Sequence, residues 1–348
     1  MTTRGVIGDL DRLAGDGAVT LATLVAASGS TSKKVGAKMV VGESGRLIGG
    51  VTIGGCVDAQ VVEAADEIIN TGGRRLLSIS LDDDEAFEIG LTCGGTVDVL
   101  LERIAPRNGG DVVADAHRAA HGSLESGDAA VIVTPLDGGA AALVVNESGT
   151  RHGSLGDTLL DDAAASIASD VLRNSSRVES IGDRRFFFDR QAPPMTLVIV
   201  GAGQIAMSLT RMARELEMRS IVIDGRERYA TRERFPDADE IRVGMPSDIV
   251  AEIAPNHRVA IVLVAHDYKY ELPVLRRLLR APVGYIGMLG SKKRGAAVRD
   301  LLREEGFTDD ELARVHTPIG LDLGGKSPPE VALSILAEVV AVRSGKRG

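Results

Sequence analysis

Cysteine is scarce: Cys56 and Cys93 are the only two in 348 residues, too few for a disulfide framework. Basic charge is in deficit as well, with Lys and Arg numbering 40 against 49 Asp and Glu, a formal net charge of −9. That balance argues against nucleic acid or an anionic membrane surface as partner, because phosphate binding draws largely on clustered Lys and Arg. No apolar run reaches the roughly 18 residues of a membrane span. Met1 to Leu10 has no basic segment ahead of an apolar core, so no signal peptide is expected. Aromatics are few, six Phe and four Tyr with no Trp, whereas glycine is abundant at 41 residues. Apolar residues at 44 % and charged ones at 26 % are a normal globular mix. The expectation is a soluble, cytoplasmic α/β protein of two domains whose loops bring backbone close to a ligand.

Apolar runs at 18–27 and 37–41 predict buried strands. Gly49-Gly50 and Gly54-Gly55-Cys56 then lead into a helical pattern at 57–71, with Val57, Val61, Ala65 and Ile68 on one face. Leu76 to Ile79 returns as a strand, and the turn Thr92-Cys93-Gly94-Gly95 opens a further strand at 96–101. Part of this recurs. Val40-Val41-Gly42-Glu43-Ser44-Gly45 matches Val144-Val145-Asn146-Glu147-Ser148-Gly149, and Gly49 matches Gly153. Each copy has a strand before the match and a helix after it, 57–71 or 159–173, which predicts a pseudo-duplicated α/β domain. The second copy carries Gly153-Ser154-Leu155-Gly156 where the first has its glycines and thiol. The chemistry is therefore expected in the first copy and the scaffold in the second. Residues 183–195, with Pro193-Pro194, break the pattern and place a boundary between a domain at 1–190 and one at 195–348.

Beyond the prolines, short strands at 196–200, 220–223, 240–243, 258–264 and 283–287 alternate with helices at 205–217, 272–280, 294–304 and 328–343, the pattern of a Rossmann-like, doubly wound parallel sheet. Leu197-Val198-Ile199-Val200 runs into Gly201-Ala202-Gly203-Gln204-Ile205-Ala206. Gly201 permits the tight turn, Gly203 lets backbone approach a pyrophosphate, and Ala206 keeps the helix close to the strand. Asp224 ends the next strand, where a carboxylate accepts from a ribose diol and repels a 2′-phosphate. The fold follows from these residues; a bound dinucleotide such as NAD does not, because fold does not fix function. Strand ends at His266 and at Gly290-Ser291-Lys292-Lys293-Arg294 border the same crevice, the first as a candidate acid, base or strand cap, the second as a phosphate-holding turn.

Cys56 sits at the expected N-terminus of helix 57–71, where the helix dipole lowers a thiol pKa, although Asp58 opposes this. Cys93 precedes two glycines. No Cys-x-x-Cys pair exists, so a structural zinc site is not expected. His117 and His121 have the spacing of a helical metal pair, but Arg118 stands where a zinc protease has Glu, and a surface helix is the expectation. Ser327, Pro328 and Glu330 predict a capping box opening the final helix.

Several of these segments resemble one family. Gly29-Ser30, Gly36-Ala37-Lys38-Met39, Gly54-Gly55-Cys56-Val57-Asp58 and Gly90-Leu91-Thr92-Cys93-Gly94-Gly95-Thr96 are similar to the XdhC/CoxI amino-terminal domain. Arg234-Phe235-Pro236-Asp237-Ala238, Tyr285-Ile286-Gly287, His316-Thr317-Pro318-Ile319-Gly320-Leu321-Asp322 and the stretch from Ser327 to Glu338 resemble its companion Rossmann domain. Three departures stand out: Thr31-Ser32-Lys33-Lys34 replaces the usual Ser-Pro-Arg, Asp58 replaces Glu, and Ile53 precedes Gly54 where a small residue is common. Lys33 or Lys34 supplies charge without arginine's bidentate geometry. The resemblance implies a homodimeric chaperone that binds the molybdenum cofactor, as molybdopterin or its cytosine dinucleotide. It shields the cofactor while a cysteine desulfurase supplies sulfur, and hands it to an apo-enzyme of the xanthine or carbon monoxide dehydrogenase type. On that basis Cys56 and Cys93 face the molybdenum, with Gly54, Gly55, Gly94 and Gly95 around them. Gly201, Gly203, Ala206, Asp224, His266, Gly290, Ser291 and Lys292 face the phosphate and nucleotide. An NAD-dependent oxidoreductase and a sulfur transferase using a cysteine persulfide are the alternatives.

Overall fold

In the computed structural model, residues 17–28, 35–50, 55–81, 95–105 and 111–346 are described, and the chain divides into two units, Met1–Pro193 and Pro194–Gly348. The first unit runs β1 (Val19–Ala27), β2 (Lys38–Val41), β3 (Leu47–Gly50), α1 (Gly55–Thr71), β4 (Arg74–Leu81), β5 (Gly95–Ile104) and α2 (Val112–Glu125). It continues with β6 (Ala130–Pro135), β7 (Ala142–Asn146), β8 (Arg151–Ser154), α3 (Thr158–Val171), β9 (Arg177–Ile181) and β10 (Arg184–Gln191). Two five-stranded sheets result, ordered β3-β2-β1-β5-β4 and β8-β7-β6-β10-β9. Identical order with identical connections makes the sequence repeat a structural one.

Strand register carries the correspondence to single residues. Leu21 lies between Val40 and Glu102, while Ile132 lies between Val144 and Asp189. Glu102 and Asp189 are thus equivalent, as are their neighbours Arg103 and Arg190. Those two arginines make one interaction twice: Nε donates to the Ile69 carbonyl at 3.1 Å in the first copy and to the Leu172 carbonyl at 2.8 Å in the second.

Residues Val19 to Val25 of β1 are buried on both faces because both faces are covered. Ala22 and Leu24 pack under α1 with Val57, Val61, Ala65 and Ile68. On the opposite face Val19 and Leu21 meet Val113 and Ala114 of α2, and Val25 with Leu100 meets Leu136 and Phe187 of the second sheet. In that last cluster Val25 is the equivalent of Leu136, and Leu100 of Phe187, so a pseudo-two-fold axis passes through it. Asp98 and Arg185, also equivalents, approach to 3.9 Å. Removing each such aliphatic side chain from water stabilises by about 1.5–3 kcal/mol.

Polar groups bridge the copies too. Arg74 pairs with Glu102 at 2.7 Å, the side chains only 1 % and 4 % exposed, and its Nη1 donates to the carbonyls of Gly139 and Ala141 between β6 and β7. Lys38 of β2 pairs with Asp189 at 2.6 Å, and Gln191 donates to the same carboxylate. His117 corrects the surface-helix expectation. It is 4 % exposed, with Nε2 at 3.8 Å from Glu102, because α2 lies between the two sheets, Val113 and Ala114 packing on the first and Ala116 and Ala120 on the second. His121 faces Glu125 instead.

The second unit runs β11 (Thr196–Val200), α4 (Gln204–Glu215), β12 (Arg219–Asp224), β13 (Glu240–Val243), α5 (Pro246–Ile253), β14 (Val259–Leu263), α6 (Tyr268–Leu278), β15 (Tyr285–Met288), α7 (Lys292–Glu304), α8 (Asp309–Ala313), β16 (Val315–His316) and α9 (Pro328–Arg343). Its strands are parallel in the order β13-β12-β11-β14-β15-β16, the dinucleotide-fold order with its switch point between β11 and β14. One face is packed by α4 and α9, the other by α5, α6 and α7. The cap of α9 forms as its sequence requires: the Glu330 carboxylate accepts from the Ser327 amide and hydroxyl. Ile335 and Val339 are core, so the stripe on α9 is spent inside the unit.

Candidate functional site

The first unit gathers its chemistry-bearing segments by strand direction. At the end of α1, Arg103 reaches Ile69 and its amide donates to Gly73, so the C-terminus of α1 lies at the start of β4 and its N-terminus at the opposite end of the sheet. That opposite end is where β1 finishes, with Ala27 across from Val97, where β3 finishes, with Gly50 across from Met39, and where Leu81 pairs with Gly95. The segments after Ser28, before Gly55 and between Leu81 and Gly95 all depart from this one end. Gly55 and Cys56 are the first two residues of α1, and Gly95 is the first of β5. Gly54, Cys93 and Gly94 lie outside the described residues.

The second copy shows what that end is like without the chemistry. Ile181 and Arg184 pair directly across Gly182-Asp183, where the first copy inserts the longer segment carrying Cys93. With Ile69 equivalent to Leu172, the mate of Cys56 is Leu159, which is 80 % exposed on the first turn of α3.

In the second unit the switch point is built on Gly201. Its φ is +112°, and a Cβ there would lie 2.6 Å from the Ala265 backbone, so no other residue fits. Gly203 caps α4 and has nothing within 4 Å of the place of a Cβ, which leaves free space over the turn. Ala206 is fully buried against the sheet.

Asp224 is placed differently from the expected ribose acceptor. It is 2 % exposed, its Oδ2 accepts from the Ala202 amide at 2.8 Å, and its Oδ1 accepts from the Arg226 amide at 2.9 Å. The Arg226 guanidinium closes on both oxygens, at 2.9 and 2.8 Å, and lies over the Tyr229 ring. Burial pulls this carboxyl upward, but the guanidinium and the two amides reverse the effect and hold it below the usual carboxylate range. The Tyr270 ring and hydroxyl stand so close to Gly225 that a Cβ there would collide with them. Protein donors take the interactions that a ribose diol would need.

The β14 side of the crevice is arranged otherwise. His266 is exposed, with φ of +55°, and its amide donates to Oε1 of Glu271 at 3.0 Å. Glu271 is fully buried in the first turn of α6 and pairs with Arg294 of α7 at 2.5 Å. Burial raises its carboxyl to about 7, with Arg294 opposing the rise. Arg294 also lies 3.3 Å from Nδ1 of His266 and 4.5 Å from the centre of the Tyr268 ring. Partial desolvation of the ring and then the Arg294 charge hold the imidazole below its ordinary pKa. Ser291 caps α7, its hydroxyl accepting from the Arg294 amide, while Lys292 is exposed and Gly290 packs against the Arg294 side chain. Glu271 belongs to no motif of the sequence. Pro273 masks the true start of α6, yet an acid on the stripe Glu271, Val274, Leu275, Leu278 is the signal that would have found it. The His316 motif has a structural place: Glu338 of α9 accepts from the Tyr285 hydroxyl and the Gly320 amide, and lies 3.1 Å from His316 Nδ1.

Comparison with known proteins gives two family-model matches: residues 197–339 with the XdhC Rossmann domain, and residues 13–80 with the XdhC and CoxI family. A Bacillus subtilis protein described as a probable xanthine dehydrogenase subunit is 28 % identical over 327 residues, 93 % of this chain and 92 % of its own length. The Escherichia coli molybdenum cofactor insertion chaperone PaoD is 28 % identical over 331 residues, 95 % of this chain and 85 % of its own. A crystal structure described as a xanthine dehydrogenase from Bacillus halodurans matches with a TM-score of 0.80 at 24 % identity, over 100 % of this chain and 97 % of that one. At that identity the likeness speaks for the fold.

Proposed function

This chain belongs to the XdhC and CoxI family, and from that premise we propose that it is an accessory chaperone for the molybdenum cofactor. Its cargo is molybdopterin or the cytosine dinucleotide form, which it shields during sulfuration by a cysteine desulfurase and delivers to an apo-enzyme of the xanthine or carbon monoxide dehydrogenase type. Action in the cytoplasm, as a homodimer, goes with this reading. PaoD supports it by what its name states.

The observation that carries the reading is the asymmetry of the duplicated unit. Ser28, Gly55, Leu81 and Gly95, the described residues that flank the segments of Gly29-Ser30, Gly54 and Thr92-Cys93-Gly94, lie at one end of the first sheet, while the same end of the second sheet closes in a plain two-residue turn. Glycines give backbone access to a flat ligand, and soft thiolates suit a soft metal–sulfur centre. In the second unit the open turn at Gly203 and the donors at His266, Ser291 and Lys292 suit a phosphate or nucleotide. A nicotinamide enzyme would need Asp224 for a ribose, and the four hydrogen bonds on that carboxylate speak against it.

The test is anaerobic isolation from a host that makes molybdenum cofactor, with molybdenum and pterin counted per chain. Near-stoichiometric pterin in the wild type, lost in Cys56→Ser and Cys93→Ser, is the expected result. Pterin-free protein carrying cyanolysable sulfur on either cysteine would replace this reading with sulfur transfer.

A further inference from the structure

His266 is the crevice residue whose proton position its neighbours fix. Its left-handed backbone is costly for a side chain with a Cβ, and the amide bond to the buried Glu271 holds it there. Arg294, itself fastened by Glu271, stands 3.3 Å from Nδ1. A guanidinium has only donors, so a hydrogen bond between the two makes Nδ1 the acceptor and puts the ring proton on Nε2. A second proton on Nδ1 would meet the Arg294 charge. The residue before it, Ala265, is the one whose backbone a Cβ on Gly201 would strike, so His266 follows directly on the segment that borders the turn, and the space over Gly203 is open. Acidic neighbours are accounted for: Asp267 caps α6 through the Lys269 amide, and Glu271 is closed by Arg294.

We propose that His266 is a neutral hydrogen-bond donor, through Nε2–H, to a phosphoryl oxygen of the ligand seated on the Gly201–Gly203 turn, and that Glu271 and Arg294 are its positioning residues. This rests on the reading that the second unit takes the phosphate end of the cargo. It adds a tautomer, a direction and two residues that never touch the ligand.

Cytidine 5′-diphosphate and inorganic pyrophosphate, titrated separately into the full chain, serve as probes, with 15N-imidazole NMR reporting the tautomer. The wild type should show the Nε2–H form at His266, with that nitrogen shifting on binding. His266→Ala should weaken binding about ten- to hundred-fold, the range for a hydrogen bond to a charged acceptor. His266→Gln, whose amide nitrogen falls near Nε2, should recover most of it. Glu271→Gln should leave the chain folded by circular dichroism and yet mix the two tautomers and weaken both probes, which a purely structural role would not do. Equal affinity of wild type and His266→Ala, or an Nδ1–H tautomer, overturns the proposal. If Gly203→Asp abolishes binding while His266→Ala does not, the crevice reading stands and the role of His266 falls. If the wild type binds neither probe, both fall.

Discussion

Replacing Glu102 by Gln keeps the shape of the side chain and removes its charge. Burial alone would push this carboxyl up, but the Arg74 guanidinium, helped by His117, brings it down from 4.5 to about 2. At about 1.4 kcal/mol per pH unit, that difference amounts to about 3 kcal/mol at neutral pH. A second route agrees. Arg74, 1 % exposed, would be left as an uncompensated buried charge, and breaking such a pair from one side costs about 3–5 kcal/mol. Because the folded pKa is depressed, the contribution is complete above about pH 4.5 and disappears as pH falls towards 2. The stability gap between wild type and Glu102→Gln should therefore be level from pH 8 to 5 and narrow below 4.5. Urea unfolding followed by circular dichroism measures the gap, and hydrogen exchange at the β5 amides assigns it to the first unit. A gap under about 1 kcal/mol at pH 7, or one that widens on acidification, would refute the reasoning.

Further outcomes follow from the crevice and the core. Gly201→Ala should destabilise the second unit by about 2 kcal/mol or more, through the clash with Ala265 and the positive φ, whereas Gly203→Ala should stay within about 0.5 kcal/mol; thermal unfolding of the pair decides. Asp224→Ala should lower the stability of the second unit by about 1–3 kcal/mol, by stripping the Ala202 and Arg226 amides of their acceptor. Calorimetry should find no NAD binding for that variant to remove, and micromolar NAD affinity in the wild type would contradict the account of Asp224. Tyr285→Phe takes a hydroxyl from Glu338 and should cost about 1–3 kcal/mol by leaving a buried acceptor short, read in the same unfolding experiment.

Much of the architecture is legible in the chain because period and punctuation repeat locally. The strand, turn and helix around Gly201 follow from an apolar run, two glycines and an amphipathic stripe, and each lies where those residues place it. The duplication shows in six aligned residues around Ser44 and Ser148, since a turn that needs Gly45 in one copy needs Gly149 in the other. Long-range pairing is another matter. Lys38 and Asp189 stand far apart in the chain, and nothing local in either strand announces the partner. Likewise, the spacing of His117 and His121 describes one helix and not the two sheets it lies between. At the crevice, Asp224 ends β12 as its place in the sequence requires, and the arginine two residues on takes its carboxylate for the fold, a pairing that no spacing rule announces.

The near-contact of Asp98 with Arg185 on the pseudo-two-fold axis has a consequence for partner choice. Residues on such an axis meet their own equivalents. Were the first copy to pair with another first copy, Asp98 would face Asp98, and two second copies would bring Arg185 against Arg185. A second ionic link between the copies is just as one-sided, since Ala142 occupies in the second copy the place that Lys38 holds in the first, and a pair of second copies would bury Asp189 without its lysine. Like charges set against each other discriminate between partners. Fusion in one chain supplies the high effective concentration, and the charges make one-of-each the combination that closes. The two halves have become unlike enough that neither can serve as its own mate.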